Sequence, residues 1–421
     1  GATTGNTVNL GDGEHSLAAG TTINGTIYGG SGTDTTGNIL NVNTNATVGN
    51  IANFGMVNFN YKATTTSDAN PMLTISGGAT TLDWEKFTYK GAMPTSGKLT
   101  LMKNTANINL GTTYTGAKEL PGSDTTEAFI DTNTSAPTAT EILIKGYTFK
   151  GNALTPTTGS ATEDVWAGRS VIGNTTTGNT LTVNGTTHRD AYGGWTAGTG
   201  TSKAAKKYST GNTVNLMRGT VRNIYGGFTS SDGGSATGNK VNISGGTVGT
   251  GGTVYGGYIS SATSAGGATG NSVTITGGSM GDVYGGFTTG TGKTTGNTVN
   301  LGDGEDSLAA GTTINGTIYG GSGTDTTGNT LNVKTNAAAA NIKNFENLAF
   351  YVNSSALNAA NPMLTLSSAT NNLDWRKLTV DASKFDGTIS TFEPYNLVLM
   401  QNAAGISFMK GADDTYTLGG G

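Results

Sequence analysis

The chain has no cysteine. Disulfides, thiolate metal sites and a catalytic cysteine are therefore excluded. Proline is scarce, at 7 of 421 residues, and histidine occurs only as His15 and His188. Charged residues make up 12%, with a net charge of −4, about half the usual charged share. A nucleic-acid surface does not fit that balance. The small basic cluster Lys203, Lys206, Lys207 reads as a solvated loop. No apolar run approaches the ~18 residues of a membrane span. No secretory signal pattern opens the chain, and no stretch shows helical periodicity over a useful length. We expect no membrane insertion by this segment and no nucleic-acid partner. The first residue is glycine, not methionine, so a processed chain or a piece of a longer one is expected.

What the chain has instead is glycine, 69 residues of it. The glycines are periodic. Gly-Asn recurs at Gly5-Asn6, Gly37-Asn38, Gly178-Asn179, Gly211-Asn212, Gly238-Asn239, Gly270-Asn271, Gly296-Asn297 and Gly328-Asn329. From Gly178 onward the pairs lie 33, 27, 32, 26 and 32 residues apart. Each is followed by alternating polar and apolar residues, as in Asn271-Ser272-Val273-Thr274-Ile275. A Gly-Gly turn follows, then a short apolar stretch ending in Tyr-Gly-Gly and an aromatic, as in Val283-Tyr284-Gly285-Gly286-Phe287.

Alternation with period two is the signature of a strand, and glycine breaks it without steric cost. One copy cannot bury its apolar face alone. Stacked copies would bury a continuous column of Val, Ile and Leu. The expected fold is all-β: a right-handed parallel β-helix (solenoid) built from repeats of about 26–33 residues. Val8, Leu10, Val214, Leu216, Val241, Ile243, Val273, Ile275, Val299 and Leu301 are expected to point inward. Asn212, Asn239, Asn271 and Asn297 should occupy equivalent corners as an amide ladder. The variable segments 229–236 and 260–267 fall at one point of the repeat, so they belong outside the ladder.

Four stretches follow. Residues 1–40 hold a repeat unit with a long insertion. Residues 41–160 read as irregular rungs with longer loops, with Glu141-Ile142-Leu143-Ile144 as a clear strand. Residues 161–330 carry the regular Gly-Asn/Tyr-Gly-Gly repeats. Residues 331–421 are a second copy of the irregular rungs. Residues 292–329 repeat residues 1–38, differing only at Ala2/Lys293 and His15/Asp306, and the looser match continues so that 292–408 repeats 1–110.

The combination Thr-Gly-Asn-x-Val-x-Ile, Gly-Gly and Val/Ile-Tyr-Gly-Gly-aromatic resembles the repeats of Gram-negative autotransporter (type V secreted) passenger domains. The segment 344–366 is similar to the stretches that follow such repeats. The resemblance implies export through a C-terminal outer-membrane barrel and display on the bacterial cell surface, outside the cell. Its members include adhesins, proteases and esterases, so fold does not choose among activities.

The search for chemistry yields no catalytic residue, cofactor site or metal site to assign. His15 becomes Asp306 in the second copy, and His188-Arg189-Asp190 reads as a solvated turn before Tyr192. No Gly-x-Ser-x-Gly elbow is present. Asp83, Glu85, Glu119, Asp124, Glu127 and Asp131 do not share a strand register, as a polysaccharide-cleaving site would need. Asp34 and Asp325 close Gly-Gly-x-Gly-x-Asp stretches that hint at weak calcium binding, but one aspartate is a poor site for an ion wanting six to eight oxygens. Asp12-Gly13-Glu14 and Asp303-Gly304-Glu305 read as surface loops. The tyrosines, with Trp195, Phe228, Tyr258 and Phe287, are either a packing stack at a corner or a sugar-binding stripe.

These features predict a non-enzymatic structural or adhesive solenoid, a stalk or adhesin able to form filaments. Its partners would be cell-surface proteins or glycans, or copies of itself stacked end to end. The alternatives are a β-helix enzyme acting on polysaccharide and a phage tail fibre. No cap is visible at either end, where Leu418-Gly419-Gly420-Gly421 reads as a turn. Some 14 rungs at ~4.8 Å each would give a rod of roughly 65–70 Å.

Overall fold

A computed structural model describes residues 3–408 apart from 19–20, 33, 68, 93–97, 121–122, 198–206, 250, 262–265, 354–355, 359 and 385–396. Lys203, Lys206 and the terminal Leu418–Gly421 turn thus lie outside the described residues. The chain divides into two compact units, Gly1–Tyr147 and Thr148–Gly421. Both are β-solenoids, and together they make about 12 turns. No described helix is long and apolar enough to cross a membrane.

The second unit shows how the repeat becomes a core. Its strands stack in parallel, in the register of the repeat. Leu181, Val214, Val241, Val273, Val299, Leu331 and Leu348 pair in succession, each on its own rung. Val183, Leu216, Ile243, Ile275, Leu301, Val333 and Phe350 form the adjoining column. Val214, Leu216, Val241, Val273, Ile275, Val299 and Leu301 are fully buried, and Ile243 is 1% exposed. Leu10 in the first unit is also buried, whereas Val8 is only half-buried. Burying each such side chain contributes roughly 1.5–3 kcal/mol.

The Gly-Asn pair makes the corner. Gly178, Gly211, Gly238, Gly270, Gly296 and Gly328 have φ between 62° and 70°, in the left-handed region. There a side chain with a Cβ is strained. This turn sends the following asparagine into the interior, where Asn179, Asn212, Asn239, Asn271, Asn297 and Asn329 are at most 1% exposed. A third, four-stranded face between residues 176 and 269 has only small side chains at its buried positions. It carries Thr176, Ser209, Ala236 and Ala268, stacked in parallel and buried.

The first unit begins in the same way. Thr7–Leu10, Ile39–Val42, Met56–Asn60 and Phe87–Lys90 form one parallel sheet; Thr22–Tyr28, Ala46–Ala52, Leu73–Ile75 and Lys98–Asn109 form part of another. Its interior is bulkier, with Phe59 and Phe87 stacked at 6.2 Å and Trp84 against Phe87. After Asn109 the chain leaves the spiral. Thr138–Thr148 runs antiparallel to Lys98–Asn109, and Lys118–Leu120 runs antiparallel to Thr126–Thr132. Lys118–Leu120, Thr126–Thr132 and Thr138–Thr148 are therefore antiparallel strands covering the edge of Lys98–Asn109, not further rungs. That departure lowers the turn count below the ~14 expected from stacking alone, and it covers the downstream edge of Lys98–Asn109 in the first unit.

Candidate functional site

Two surface features emerge from the regular rungs: an aromatic ledge and, beside it, a polar corner. The ledge grows out of the Tyr-Gly-Gly motif. Trp166, Tyr192, Tyr225, Tyr255, Tyr284 and Tyr319 follow one another rung by rung, with near-parallel planes and centroids 4.3–6.3 Å apart. Trp195, Phe228, Tyr258 and Phe287 make a second column at 4.9–6.1 Å. Within a rung the two columns meet edge-on, as at Tyr225–Phe228 (5.5 Å, 86°).

The two glycines between the columns are what permit this. The second faces inward: a Cβ on Gly227 would lie 2.3 Å from Nδ2 of Asn239. The first lies against the next rung: a Cβ on Gly226 would lie 2.4 Å from the carbonyl oxygen of Gly256. Both aromatics therefore stay outside, on either flank of the bend. Except for the buried Tyr192, the ledge residues from Tyr192 onward are half-buried, shielded mainly by each other. Parallel rings as close as those of the tyrosine column overlap face to face with an offset. Their faces are taken up within the stack, so the packing-stack expectation describes this column. Burial pushes the hydroxyls of Tyr192, Tyr225, Tyr255, Tyr258 and Tyr284 above the ordinary tyrosine range, so they remain protonated donors at neutral pH. At the first rung Arg169 lies 4.3 Å from the Trp166 ring and 5.1 Å from that of Trp195, a cation–π contact with both.

The polar corner was not legible as such. His188-Arg189-Asp190 is no solvated turn: it lies within the strand Thr180–Thr196, with His188 6% and Asp190 4% exposed. The Asp164 carboxylate accepts from Nε and NH2 of Arg189, both at 2.6 Å. One rung on, the Asp190 carboxylate accepts from Arg222 at 3.0 and 2.5 Å and from Nδ2 of Asn223 at 2.9 Å. The signal lay in the residue two before each ledge aromatic: Asp164, Asp190, Asn223, Thr253, Asp282 and Thr317. Both oxygens of Asp164 and of Asp190 are engaged by arginine, an arrangement that ties one rung to the next. Lys207, expected in a solvated loop, is only 9% exposed. Its stem packs on Gly173, where a Cβ would come 2.7 Å from Cε.

His188 Nε2 lies 2.9 Å from Oγ1 of Thr186. Burial pushes the imidazole below its ordinary value of 6.5, against the opposing charge of Glu163. An unfolded chain therefore takes up this proton before the folded one does. Stability from this group is complete above ~6.5 and is lost as pH falls toward the lowered folded value. The thermal midpoint should fall on going from pH 7 to about 5, and the fall should be shallower in His188→Gln. Equal slopes in the two proteins would remove His188 from the account.

Several other acidic residues and His15 serve local turns and pairs, and Glu127 is buried in the first unit. Asp34 accepts from the Thr36 N–H at 2.9 Å, and Asp325 from the Thr327 N–H and hydroxyl at 3.2 and 2.9 Å. Lys293 lies 3.4 Å from Asp325. Both carboxylates are held below the usual range, chiefly by their hydrogen bonds to these threonines. Asp12 accepts from the backbone of Glu14 and His15, and its bond to the His15 ring raises that imidazole. Asp303 likewise accepts from Glu305 and Asp306. Asp83 caps the short helical turn Trp84–Lys86, and Asp131 pairs with Lys145 at 2.6 Å. These groups are not brought together. Among the described residues no three His, Asp or Glu side chains are grouped to hold a metal ion.

No family model, no curated protein and no solved structure matches this chain.

Proposed function

We propose that the chain is a structural and adhesive β-solenoid displayed on a bacterial cell surface, working through its outer face and not through a catalytic site. The aromatic ledge carries this reading. It sets apolar ring edges and tyrosine hydroxyls at every rung of a rigid stack, and aromatic residues with one wet end are favoured at interfaces. A row of this kind presents many weak, identical contacts to a protein or glycan on another surface, and such contacts gain strength by multivalency.

Binding of the purified chain to arrays of glycans and of extracellular proteins tests the proposal, alongside Tyr225→Ser/Tyr258→Ser. Retention on at least one ligand class, reduced about tenfold or more in the double variant, is the expected result. The variant's circular dichroism should be unchanged. Release of reducing sugar from any glycan, or equal binding by both proteins, would overturn it.

A further inference from the structure

The chain contains nearly the same 38-residue stretch twice, and the two copies differ in what lies on their N-terminal side. In the second copy that side is covered. Ser272–Met280 pairs with Thr298–Leu301 and with Thr313–Ile314, and Val283–Thr288 pairs with Thr317–Tyr319. Asn271 donates its backbone N–H and its side-chain amide to Oδ1 of Asn297, each at 3.0 Å. Tyr284 stacks on Tyr319 at 4.3 Å and 1°. Under this cover Asn297, Val299 and Ile318 are 0% exposed and Ile314 is 5% exposed.

In the first copy the same residues are left uncovered on that side, although Val8, Ile23 and Ile27 still pack against the core. Thr7–Leu10 and Thr22–Tyr28 are edge strands of their sheets. Asn6 is exposed, Val8, Ile23 and Ile27 are only half-buried, and Tyr28 is 61% exposed. The downstream side is already satisfied: Asn6 donates to Oδ1 of Asn38 at 3.1 Å, as Asn297 does to Asn329. Its own Oδ1 corresponds to the atom of Asn297 that receives Asn271, and it has no donor among the described residues.

We propose that this face of the first unit is a docking surface for one further rung of the Tyr-Gly-Gly type. The chemistry it selects is read from the second copy: an asparagine donating twice to Asn6, aliphatic side chains over Val8, Ile23 and Ile27, and a tyrosine ring over Tyr28. The last described strands of a second copy of this chain are a poorer fit. Met400–Asn402 and Ile406–Phe408 stack on Leu364–Leu366 and Thr370–Leu373. They correspond to Lys98–Asn109, whose free edge in the first unit receives an antiparallel strand and not a solenoid rung.

Fusing a copy of residues 267–291 ahead of Gly1 tests this, because it recreates the natural 291–292 junction. Hydrogen exchange at Thr7–Leu10 and Thr22–Tyr28 should slow by about tenfold or more, toward the rates at Thr298–Leu301 and Thr317–Tyr319. A fused segment with the same composition in scrambled order should leave exchange unchanged. So should one carrying the Asn271→Asp and Tyr284→Ala changes. No slowing with the intact rung, or equal slowing with the scrambled one, overturns the proposal. Slowing in the unfused chain that rises with protein concentration would identify a second copy as the occupant, and would overturn it as well.

Discussion

Asn271→Asp is expected to destabilise the second unit by about 3–5 kcal/mol at pH 7, from lost donors and an uncompensated buried charge. Asn271 is 1% exposed. Its Oδ1 accepts from the backbone and the side chain of Asn239, and its Nδ2 donates to the Ala236 carbonyl and to Oδ1 of Asn297, all at 3.0 Å. A carboxylate keeps the accepting half and inverts the donating half. It then sets an anionic oxygen against two acceptors, inside a stack with no cation in the ladder. The folded-state pKa of the new group is raised above its unfolded value of ~3.9. The charge part of its penalty is absent below ~3.9 and grows as pH rises toward the folded value, while one of the two donations stays lost at every pH. Hydrogen exchange read rung by rung is the right probe, since each rung of a solenoid contacts only its neighbours. Protection should fall most at 240–248 and 272–280. A variant that matches the parent at pH 7 would show that the ladder is decoration.

The ladder was legible because its spacing tracks the Gly-Asn positions. The hydrophobic columns were legible for a related reason. Alternation fixes which side chains share a face, and repetition fixes which copies stack. Direction was not legible. Glu141-Ile142-Leu143-Ile144 is a short apolar strand whose Ile142, Leu143 and Ile144 are all buried, yet it pairs antiparallel with Lys98–Asn109. An apolar strand pattern is the same for both orientations, so it does not fix direction. The polar corner was hidden on similar grounds. Asn184 to Asp190 has the composition of a loop, but its neighbour on the next rung, Met217 to Asn223, draws it into a ladder. Burial of His188 and Asp190 follows from that pairing and not from their own propensity. The Thr/Ser/Ala face gives no apolar signal either. It is small because Oγ1 of Thr176 sits 3.0 Å from Oγ of Ser209 and 2.9 Å from Oγ1 of Thr196, closing a tight third side.

Gly256 should prove harder to replace than Gly270, although only the second has an unusual backbone. Gly270 has φ +64, and a Cβ there would meet nothing within 4 Å. Gly270→Ala therefore adds only left-handed strain, on the order of 1–2 kcal/mol. Gly256 is the opposite case. A Cβ on it would lie 2.4 Å from the carbonyl oxygen of Gly285 and 3.1 Å from Cβ of Asn271. Neither neighbour is the far end of a flexible side chain. One is the backbone of the next rung, and the other is fixed by the ladder. The rungs must separate by most of an ångström at this corner, stretching the Val254–Ile259 to Val283–Thr288 pairing and prising Tyr255 from Tyr284. Gly256→Ala is expected to cost about 3 kcal/mol or more, at the upper end for overpacking. Denaturant midpoints of the two variants, with near-ultraviolet circular dichroism as a reporter of the stacked rings, give the comparison. Equal losses, or an intact tyrosine signal in Gly256→Ala, would mean that the rungs tolerate a methyl group between them, and that the Gly-Gly pair is kept for its turn alone.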